Sequence, residues 1–314
     1  MEDSKPFLAE FEDGVPTWEE LQTYLGMGTP PLPSQGGRPY TWYNAVSSLD
    51  GVTSFVEEGD MGAAGVALAG DPSGLSAADA RVLFAGRVWA DALLHGGSTL
   101  RREPDAEGGI PLPDLAQARE EAMAMHPGVI KGTVGGPIQV ILSGSGDLPA
   151  SAHLWDPQCG LQVVVCTSSA GAQSVVQAVS GGVPDTPLPS HVSVVEFPPM
   201  DSERPFAISL EDVVSYLYSE LGVHRLDVCA GGRAAAHMMA LGLVDEIRIT
   251  YTAQFVGRTN SKELPRSLLF DLLTSPPGTG PKHLSSSADA IGFEYVGIRA
   301  AGKRHIFLRA KLRQ

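Results

Sequence analysis

Residues 91–103 read DALLHGGSTLRRE, and residues 226–239 read LDVCAGGRAAAHMM. In each stretch a short apolar run is followed by a pair of glycines and then by a segment with helical spacing. Glycines let backbone N–H groups approach a ligand without a Cβ in the way, and the start of the following helix adds partial positive charge. One such turn is weak evidence for a ligand. Two of them at strand ends favour a site along the carboxyl edge of a parallel sheet.

The rest of the chain repeats this alternation of strands and helices. Continuous apolar runs at 138–142 and 161–167 have the length of strands buried on both faces, and 40–47 also reads as a strand. The chain closes with two strands, at 293–299 and 305–312, whose short connection predicts an antiparallel pair. We therefore predict an α/β fold with a mainly parallel central sheet, flanking helices and an antiparallel C-terminal strand pair.

Two of the predicted helices begin with a capping signal. Ser76 with Asp79, and Ser209 with Asp212, place a hydroxyl at the helix start and a carboxylate three residues later, which satisfies N–H groups of the first turn. Further helices are predicted at 19–25, 115–125, 172–180 and 234–241.

The composition excludes several classes of function. The chain has 314 residues and a formal net charge of −14. Binding to nucleic-acid phosphates needs clustered Lys and Arg, so we expect no nucleic-acid partner. The histidines are scattered singly, and the sequence contains no CxxC, HExxH, P-loop, GxSxG or GxGxxG motif. These absences argue against a metal site, a kinase and a hydrolase.

The N-terminal region predicts location and domain organisation. Residues 1–13 are acidic and lack the apolar core of a signal peptide, and no apolar run has the length of a bilayer span. We expect no membrane partner and a cytoplasmic location, where the three cysteines would stay reduced. Residues 1–38 become rich in Pro and Gly, and we predict that they form an arm leading into one domain at 39–314.

Four pieces of sequence follow one another in an order typical of a known family. They are NAVSSLDG at 44–51, the helix that ends near Arg87, the stretch 91–103, and the stretch from 226 to the GLVDEI at 242–247. Together they resemble the reductase domain of the bifunctional riboflavin-biosynthesis deaminase-reductase and the related free-standing pyrimidine reductases. The resemblance implies a dihydrofolate reductase-like fold, NADPH as cofactor, a small-molecule substrate and a homodimer. The zinc signature of the deaminase half is absent, so only the reductase half applies.

The resemblance also assigns a cofactor site, residue by residue. Thr99 would donate its hydroxyl to the cofactor, Glu103 stands where the family has Asp, and Gly144 stands where a Ser is common. NADPH rather than NADH rests on the resemblance alone. The predicted cofactor-binding residues are Val46, Thr99, Glu103, Gly144, Gly231, Gly232, Arg233, Ala234 and Ala235. The 2′-phosphate has three candidate partners, Arg101, Arg102 and Arg233.

On the substrate side, the resemblance implies contacts from Ser48 and Arg87. Arg87 can also be explained as a cation at a helix end that interacts with the helix dipole. Asp50 is the predicted catalytic residue, because a carboxylate there could relay a proton while hydride arrives. Its alternative role is structural, as a turn-forming Asp before Gly51.

Two departures from the family pattern also fall on the substrate side. The acidic residue that precedes the family's second glycine pair is Ala230 here. The stretch whose Arg holds the phosphate side of the family's substrate is replaced by EPDAEGG at 103–109, which is acidic and contains no Arg. We therefore predict an NADPH-dependent reductase with a divergent substrate site. Two alternatives stay open: a reductase of another carbonyl, imine or pterin-like metabolite, and a non-catalytic nucleotide-binding homologue.

Overall fold

The chain folds into two compact units. Unit 1 comprises residues 1–30, 41–85 and 231–314, and unit 2 comprises residues 31–40 and 86–230. The predicted arm is therefore divided between the units, and its boundary at residue 38 stays a prediction. The computed structural model describes residues 8–11, 15–26, 37–53, 75–105, 108–183, 187–257, 259, 266, 268–269, 291–301 and 304–313.

Helices and strands alternate along most of the described chain. The helices are α1 (Trp18–Leu25), α2 (Leu75–Trp89), α3 (Gly97–Arg102), α4 (Pro113–Met125), α5 (Ala172–Val179), α6 (Leu210–Ser219) and α7 (Gly232–Ala240). The strands are β1 (Leu8–Glu10), β2 (Tyr40–Ser47), β3 (Ala92–Gly96), β4 (Ile138–Leu142), β5 (Val163–Ser168), β6 (Val192–Phe197), β7 (Arg225–Val228), β8 (Glu246–Thr252), β9 (Phe293–Ala301) and β10 (His305–Leu312).

Unit 2 is built on a parallel sheet with the strand order β7-β3-β4-β5-β6. In its register Leu93 of β3 lies opposite Asp227 of β7 and Gln139 of β4. Every residue of β5 is buried, as expected for a parallel strand covered on both faces. The core that packs around β5 includes Leu100, Ile141, Leu154, Trp155, Val165 and Val175.

Unit 1 contains strands in the order β1-β9-β10-β8-β2. The neighbours β9 and β10, and β10 and β8, are antiparallel, whereas β8 and β2 are parallel, as are β1 and β9. Together with the all-parallel strands of unit 2, these pairings confirm the predicted fold class. The antiparallel C-terminal pair is β9 with β10, as the short connection predicted.

Element boundaries follow the sequence most closely where turn residues close an apolar run. The strands predicted at 40–47, 138–142 and 305–312 have the same bounds in the structure. Ser209 is the predicted N-cap of α6, and its hydroxyl accepts a hydrogen bond from the Asp212 N–H. The N-cap predicted at Ser76 is wrong, because α2 already begins at Leu75.

A buried ion pair anchors the start of β3 in unit 2. Two guanidinium nitrogens of Arg225 donate to the two oxygens of Asp91 at 2.8 and 3.1 Å, and neither side chain is more than 1% exposed. Arg119 is also fully buried and donates to the carbonyl oxygens of Arg87 and Val88 at 2.8 and 3.0 Å. It thereby satisfies carbonyls at the C-terminus of α2, which would otherwise have no intrahelical partner. These contacts fix the helix end that carries Arg87.

A second buried carboxylate joins strands in unit 1. Glu246 of β8 accepts hydrogen bonds from Arg248 at 2.6 Å and from Arg309 of β10 at 2.8 and 2.9 Å. Burial alone would raise the pKa of Glu246, but the two guanidinium groups outweigh it and lower the pKa to about 2. Arg248 also stacks over Trp42 of β2, 4.5 Å from the ring centroid. The network therefore links three neighbouring strands.

No helix in the described part of the chain is long and apolar enough to cross a lipid bilayer.

Candidate functional site

The glycine pair after β3 forms the first predicted turn, in unit 2. Gly96 is the N-cap of α3, with an extended backbone (φ −83°, ψ 146°) and no side-chain cap. At Gly97 an added Cβ would lie 2.9 Å from the Ser143 side chain, so this glycine is needed for packing. Thr99 is half-buried, and its Oγ1 would lie 3.9 Å from a Cβ added at Gly96. Thr99 thus lies beside Gly96 at the turn, and its contact with the cofactor stays a prediction.

The second turn, which leads into α7, has the same construction in unit 1. Gly231 is the N-cap, with an extended backbone (φ −61°, ψ 158°) and no side-chain cap, and an added Cβ would meet nothing within 4 Å. At Gly232 an added Cβ would lie only 1.9 Å from the carbonyl oxygen of Leu268. The first glycine thus faces open space, and the second allows a close backbone contact.

The residues after Gly232 differ in what they can offer a ligand. Arg233 is exposed and Ala234 is half-buried. Ala235 is fully buried, and its N–H donates to the carbonyl oxygen of Gly231 at 3.2 Å. In this part of the predicted set, Gly231 and Arg233 are the residues placed where a ligand could meet them.

Gly144 lies in a tightly packed loop of unit 2. Its carbonyl oxygen accepts hydrogen bonds from the Ser168 hydroxyl at 2.7 Å and from the Thr167 hydroxyl at 3.3 Å. A Cβ added at Gly144 would lie 1.8 Å from the carbonyl oxygen of Phe206. These contacts explain why a glycine stands where the family often has Ser. A cofactor contact at this position stays a prediction.

Ser48 and Asp50 lie together in the turn after β2, in unit 1. Ser48 Oγ donates to Asp50 Oδ1 at 2.7 Å and accepts from the Val52 N–H at 3.0 Å. The N–H groups of Val256 and Gly257 also donate to the Asp50 carboxylate, at 3.3 and 2.8 Å. Desolvation opposes ionisation, but the Ser48 and backbone hydrogen bonds outweigh it and lower the pKa of Asp50. This geometry favours the structural role, since an ionised carboxylate cannot donate a proton.

Asp79 is a titratable group whose environment the sequence reasoning missed. It lies in the first part of α2 and accepts a hydrogen bond from Thr250 of β8. Thr250 is in turn the register partner of Val46, the predicted cofactor residue of β2. Burial raises the pKa of Asp79 to about 6, and the Thr250 bond only partly opposes that shift. No local spacing could have revealed this pairing, because the partner comes from a distant strand.

Arg87, the predicted substrate contact, is held inside unit 2. It is only 6% exposed, and its Nη1 donates to the Gly109 carbonyl oxygen at 2.9 Å. Gly109 belongs to the acidic stretch that replaces the family's Arg-containing segment, so that stretch is tied to Arg87. Glu103, at the start of the same stretch, is half-buried. Burial raises the pKa of Glu103, and Arg102 partly offsets that shift.

A polar row crosses one face of the unit 2 sheet next to Arg87. Leu93 of β3 and Asp227 of β7 are register partners, and His95 and Cys229 each lie two residues further along the chain. Because side chains alternate along a strand, those of His95, Asp227 and Cys229 point to the same face. Gln139 of β4 shares this face and hydrogen-bonds His95 at 3.0 Å. The signal in the sequence is a histidine inside the apolar run DALLHG, and a histidine that stands alone does not reveal a polar row. Among the described residues, no group of His, Cys, Asp and Glu side chains is placed to hold a metal ion.

Comparison with known proteins identifies a family. The family model described as the RibD C-terminal domain matches residues 39–275. No curated protein sequence is significantly similar to this chain.

Solved structures with similar folds include several reductases. A pyrimidine reductase-like protein from Corynebacterium diphtheriae is 21% identical with a TM-score of 0.59, and the match covers 94% of this chain and 98% of that one. Riboflavin biosynthesis reductase from Saccharomyces cerevisiae is 13% identical with a TM-score of 0.55, covering 93% and 99%. RibD from Acinetobacter baumannii is 18% identical with a TM-score of 0.55, and the match covers 89% of this chain but only 59% of RibD. At these identities the likeness concerns the fold alone, and it agrees with the fold that the resemblance implied.

Proposed function

Since the chain belongs to the family of the RibD C-terminal domain, we propose that it is an NADPH-dependent reductase that transfers hydride to a small-molecule substrate. The substrate is related to the riboflavin-pathway pyrimidine, and its site has diverged. The family match over residues 39–275 of 314 is the observation that carries this proposal. A cytoplasmic location belongs to the same proposal.

The residues around each glycine turn fit a dinucleotide. Gly231 opens α7 with uncapped N–H groups, no Cβ and open space in front of it, which suits an anionic phosphate. In unit 2, Thr99 stands at the turn after β3 with a hydroxyl that can donate to the cofactor. Arg101 pairs with Asp147 at 3.5 Å, and Arg102 and Arg233 are exposed; all three stay candidates for the 2′-phosphate. NADPH, when bound, supplies the hydride from its nicotinamide ring.

On the substrate side, the residues support a ligand other than the family's phosphorylated one. Arg87 is buried and donates to Gly109, so it is not exposed to receive a phosphate. Glu103, Asp105 and Glu107 add negative charge where relatives need positive charge. This arrangement favours a reductase of another carbonyl, imine or pterin-like metabolite as the second candidate. A non-catalytic nucleotide-binding protein is the third.

In this reductase the protein itself contributes mainly binding and orientation of the cofactor and the substrate. Asp50 shapes the turn after β2 through its hydrogen bonds with Ser48, Val256 and Gly257, and its catalytic role stays a prediction. A homodimer fits the exposed apolar side chains of β9 and β10: Tyr295, Val296 and Ile306 are 57%, 40% and 46% exposed. Light scattering of the full chain tests the dimer.

Binding and turnover of NADPH test the reductase. We expect calorimetry to detect NADPH binding to the full chain. Thr99→Val should weaken that binding about fivefold, the worth of one neutral hydrogen bond, whereas the matched control Thr99→Ser should stay within about twofold. NADPH oxidation is then measured with the diaminopyrimidine ribosylamino phosphate. Binding without turnover would favour another substrate, and no binding at millimolar NADPH would contradict both reductase candidates.

A further inference from the structure

His95 immediately precedes Gly96 in the glycine turn after β3. The family resemblance assigns it no role, and neither the cofactor contacts nor the substrate contacts proposed above include it. Its side chain is half-buried. A polar ring at the carboxyl end of a parallel strand lies on the edge where ligands of α/β proteins bind.

Gln139 fixes the hydrogen-bonding state of His95. The Gln139 amide nitrogen donates to the carbonyl oxygens of Gly108 at 3.0 Å and Pro137 at 2.7 Å, so both of its hydrogens are used. The reverse orientation would point the amide oxygen at two carbonyl oxygens. The amide oxygen therefore faces His95 Nε2 at 3.0 Å and can only accept, so Nε2 carries the proton.

The imidazole is also held in its neutral form. Burial lowers the pKa of His95 to about 4, the Gln139 bond opposes this, and the Arg87 guanidinium acts in the same direction as burial. Asp227 and Cys229 are titratable groups that share this face on the β7 side. A neutral ring with the proton on Nε2 leaves the lone pair of Nδ1 as a hydrogen-bond acceptor. None of the described residues donates a hydrogen bond to Nδ1.

Two glycines of the acidic stretch that departs from the family pattern contact Gln139 and Arg87. A Cβ added at Gly108 would lie 1.9 Å from Gln139 Oε1, so only glycine leaves room for the amide that holds His95. Gly109, the next residue, accepts from Arg87. Both glycines of EPDAEGG therefore contact Gln139 or its neighbour Arg87, and these contacts connect the divergent segment with the polar row.

We propose that His95 Nδ1 accepts a hydrogen bond from an N–H group of the bound ligand, and that Gln139 is the positioning residue that fixes the tautomer. The inference rests on the proposed function. The donor is an amino or carboxamide group, which could be the carboxamide of NADPH or an amino group of an aminopyrimidine substrate. A ligand that carried only acceptors at this point would meet a lone pair and be rejected.

The test compares ligands with and without the N–H donor. NADPH and its 3-acetylpyridine analogue, in which an acetyl group replaces the carboxamide, are titrated into the full-length wild type, His95→Leu, His95→Asn and Gln139→Leu. Asn carries an oxygen near the position of Nδ1, so it can restore the acceptor. If the carboxamide is the donor, His95→Leu weakens NADPH binding about fivefold and His95→Asn stays within about twofold. Gln139→Leu should also weaken binding of NADPH but not of the analogue, a difference that a merely structural residue would not produce.

A second arm distinguishes the other source of the donor. If an amino group of the substrate is the donor, His95→Leu leaves NADPH affinity unchanged and raises KM for the diaminopyrimidine ribosylamino phosphate about fivefold, with His95→Asn restoring it. If the wild type binds NADPH but His95→Leu changes neither the NADPH affinity nor KM, the role of His95 is overturned while the proposed function stands. Failure of the wild type to bind NADPH would overturn the proposed function and this inference with it.

Discussion

The turn after β3 and the turn into α7 are built from the same sequence feature, yet their second glycines meet different obstacles. In both turns the first glycine is an uncapped, extended N-cap: Gly96 before α3 and Gly231 before α7. In both, the second glycine allows a close contact. At Gly97 the neighbour is the side chain of Ser143, whereas at Gly232 it is the backbone carbonyl of Leu268.

The comparison shows that the two glycines of a pair have different structural roles. The first glycine tolerates a Cβ, with open space at Gly231 and ordinary contacts of 3.7 Å or more at Gly96, and the second lets the helix pack against its neighbour. The Ser143 side chain can be removed by substitution, and rotation can move its Oγ although not its Cβ, but a backbone carbonyl can move only with its whole segment. The two pairs should therefore respond alike to substitution at the first glycine and differently at the second.

The largest effect is expected for Gly232→Ala. The new Cβ would lie 1.9 Å from the Leu268 carbonyl oxygen and 2.8 Å from that of Leu269. Either this backbone moves or α7 does, so we expect a loss of about 3 kcal/mol in the free energy of unfolding. Urea unfolding followed by circular dichroism measures the loss. A change below about 1 kcal/mol would mean that the segment at Leu268 gives way easily, and the contrast with Gly97 would disappear.

A smaller effect is expected for Gly97→Ala. Its Cβ would lie 2.9 Å from Ser143 Cβ and Oγ and 3.2 Å from Leu148 Cδ2, all side-chain atoms. We expect a loss of about 1–2 kcal/mol. The double variant Gly97→Ala/Ser143→Gly should recover most of that loss, and a double-mutant cycle measures the coupling. Additive effects in the cycle would show that Ser143 is not the obstacle.

The smallest effects are expected at the first glycines. Gly96→Ala and Gly231→Ala introduce no strained backbone, because φ is −83° and −61°, and no contact shorter than 3.7 Å. The lower entropy of the unfolded chain offsets the slightly poorer N-cap, so stability should change by less than about 0.5 kcal/mol. Thermal unfolding of both variants beside the wild type is the measurement. A large loss at either position would show that the space in front of it is needed for packing.

Much of the fold could be predicted from the sequence, because the signals that set it are local. The strand at 305–312 is an apolar run closed by turn residues, and Ser209 is a hydroxyl three residues before Asp212. The glycine pair at 96–97 predicted a helix after β3, but the bounds of α3 could not be predicted, since a helix of six residues has too little periodicity to show them. The pairing of β1 with β9 could not be predicted either, because the two strands come from opposite ends of the chain.

The candidate site was harder to predict, because its chemistry depends on contacts between distant segments. The sequence indicated that Asp50 precedes a turn glycine, but the N–H groups of Val256 and Gly257 that lower its pKa come from far along the chain. The polar row of His95 and Gln139 depends on the register of two strands. Only the structure shows that the divergent stretch at 103–109 places Gly108 against Gln139.

The central claim is that the first glycine of a pair leaves room for an anionic ligand, and one pair of variants tests it most directly. Gly231→Asp and Gly231→Asn have nearly the same shape, and both are good N-caps, so α7 should be equally stable in the two. They differ by one negative charge at the helix start. Calorimetric titration with NADPH should give an affinity about tenfold lower for Gly231→Asp than for Gly231→Asn, as expected for one unfavourable charge contact. Equal affinities in two equally stable variants would contradict the account, because they would mean that no phosphate binds in front of Gly231.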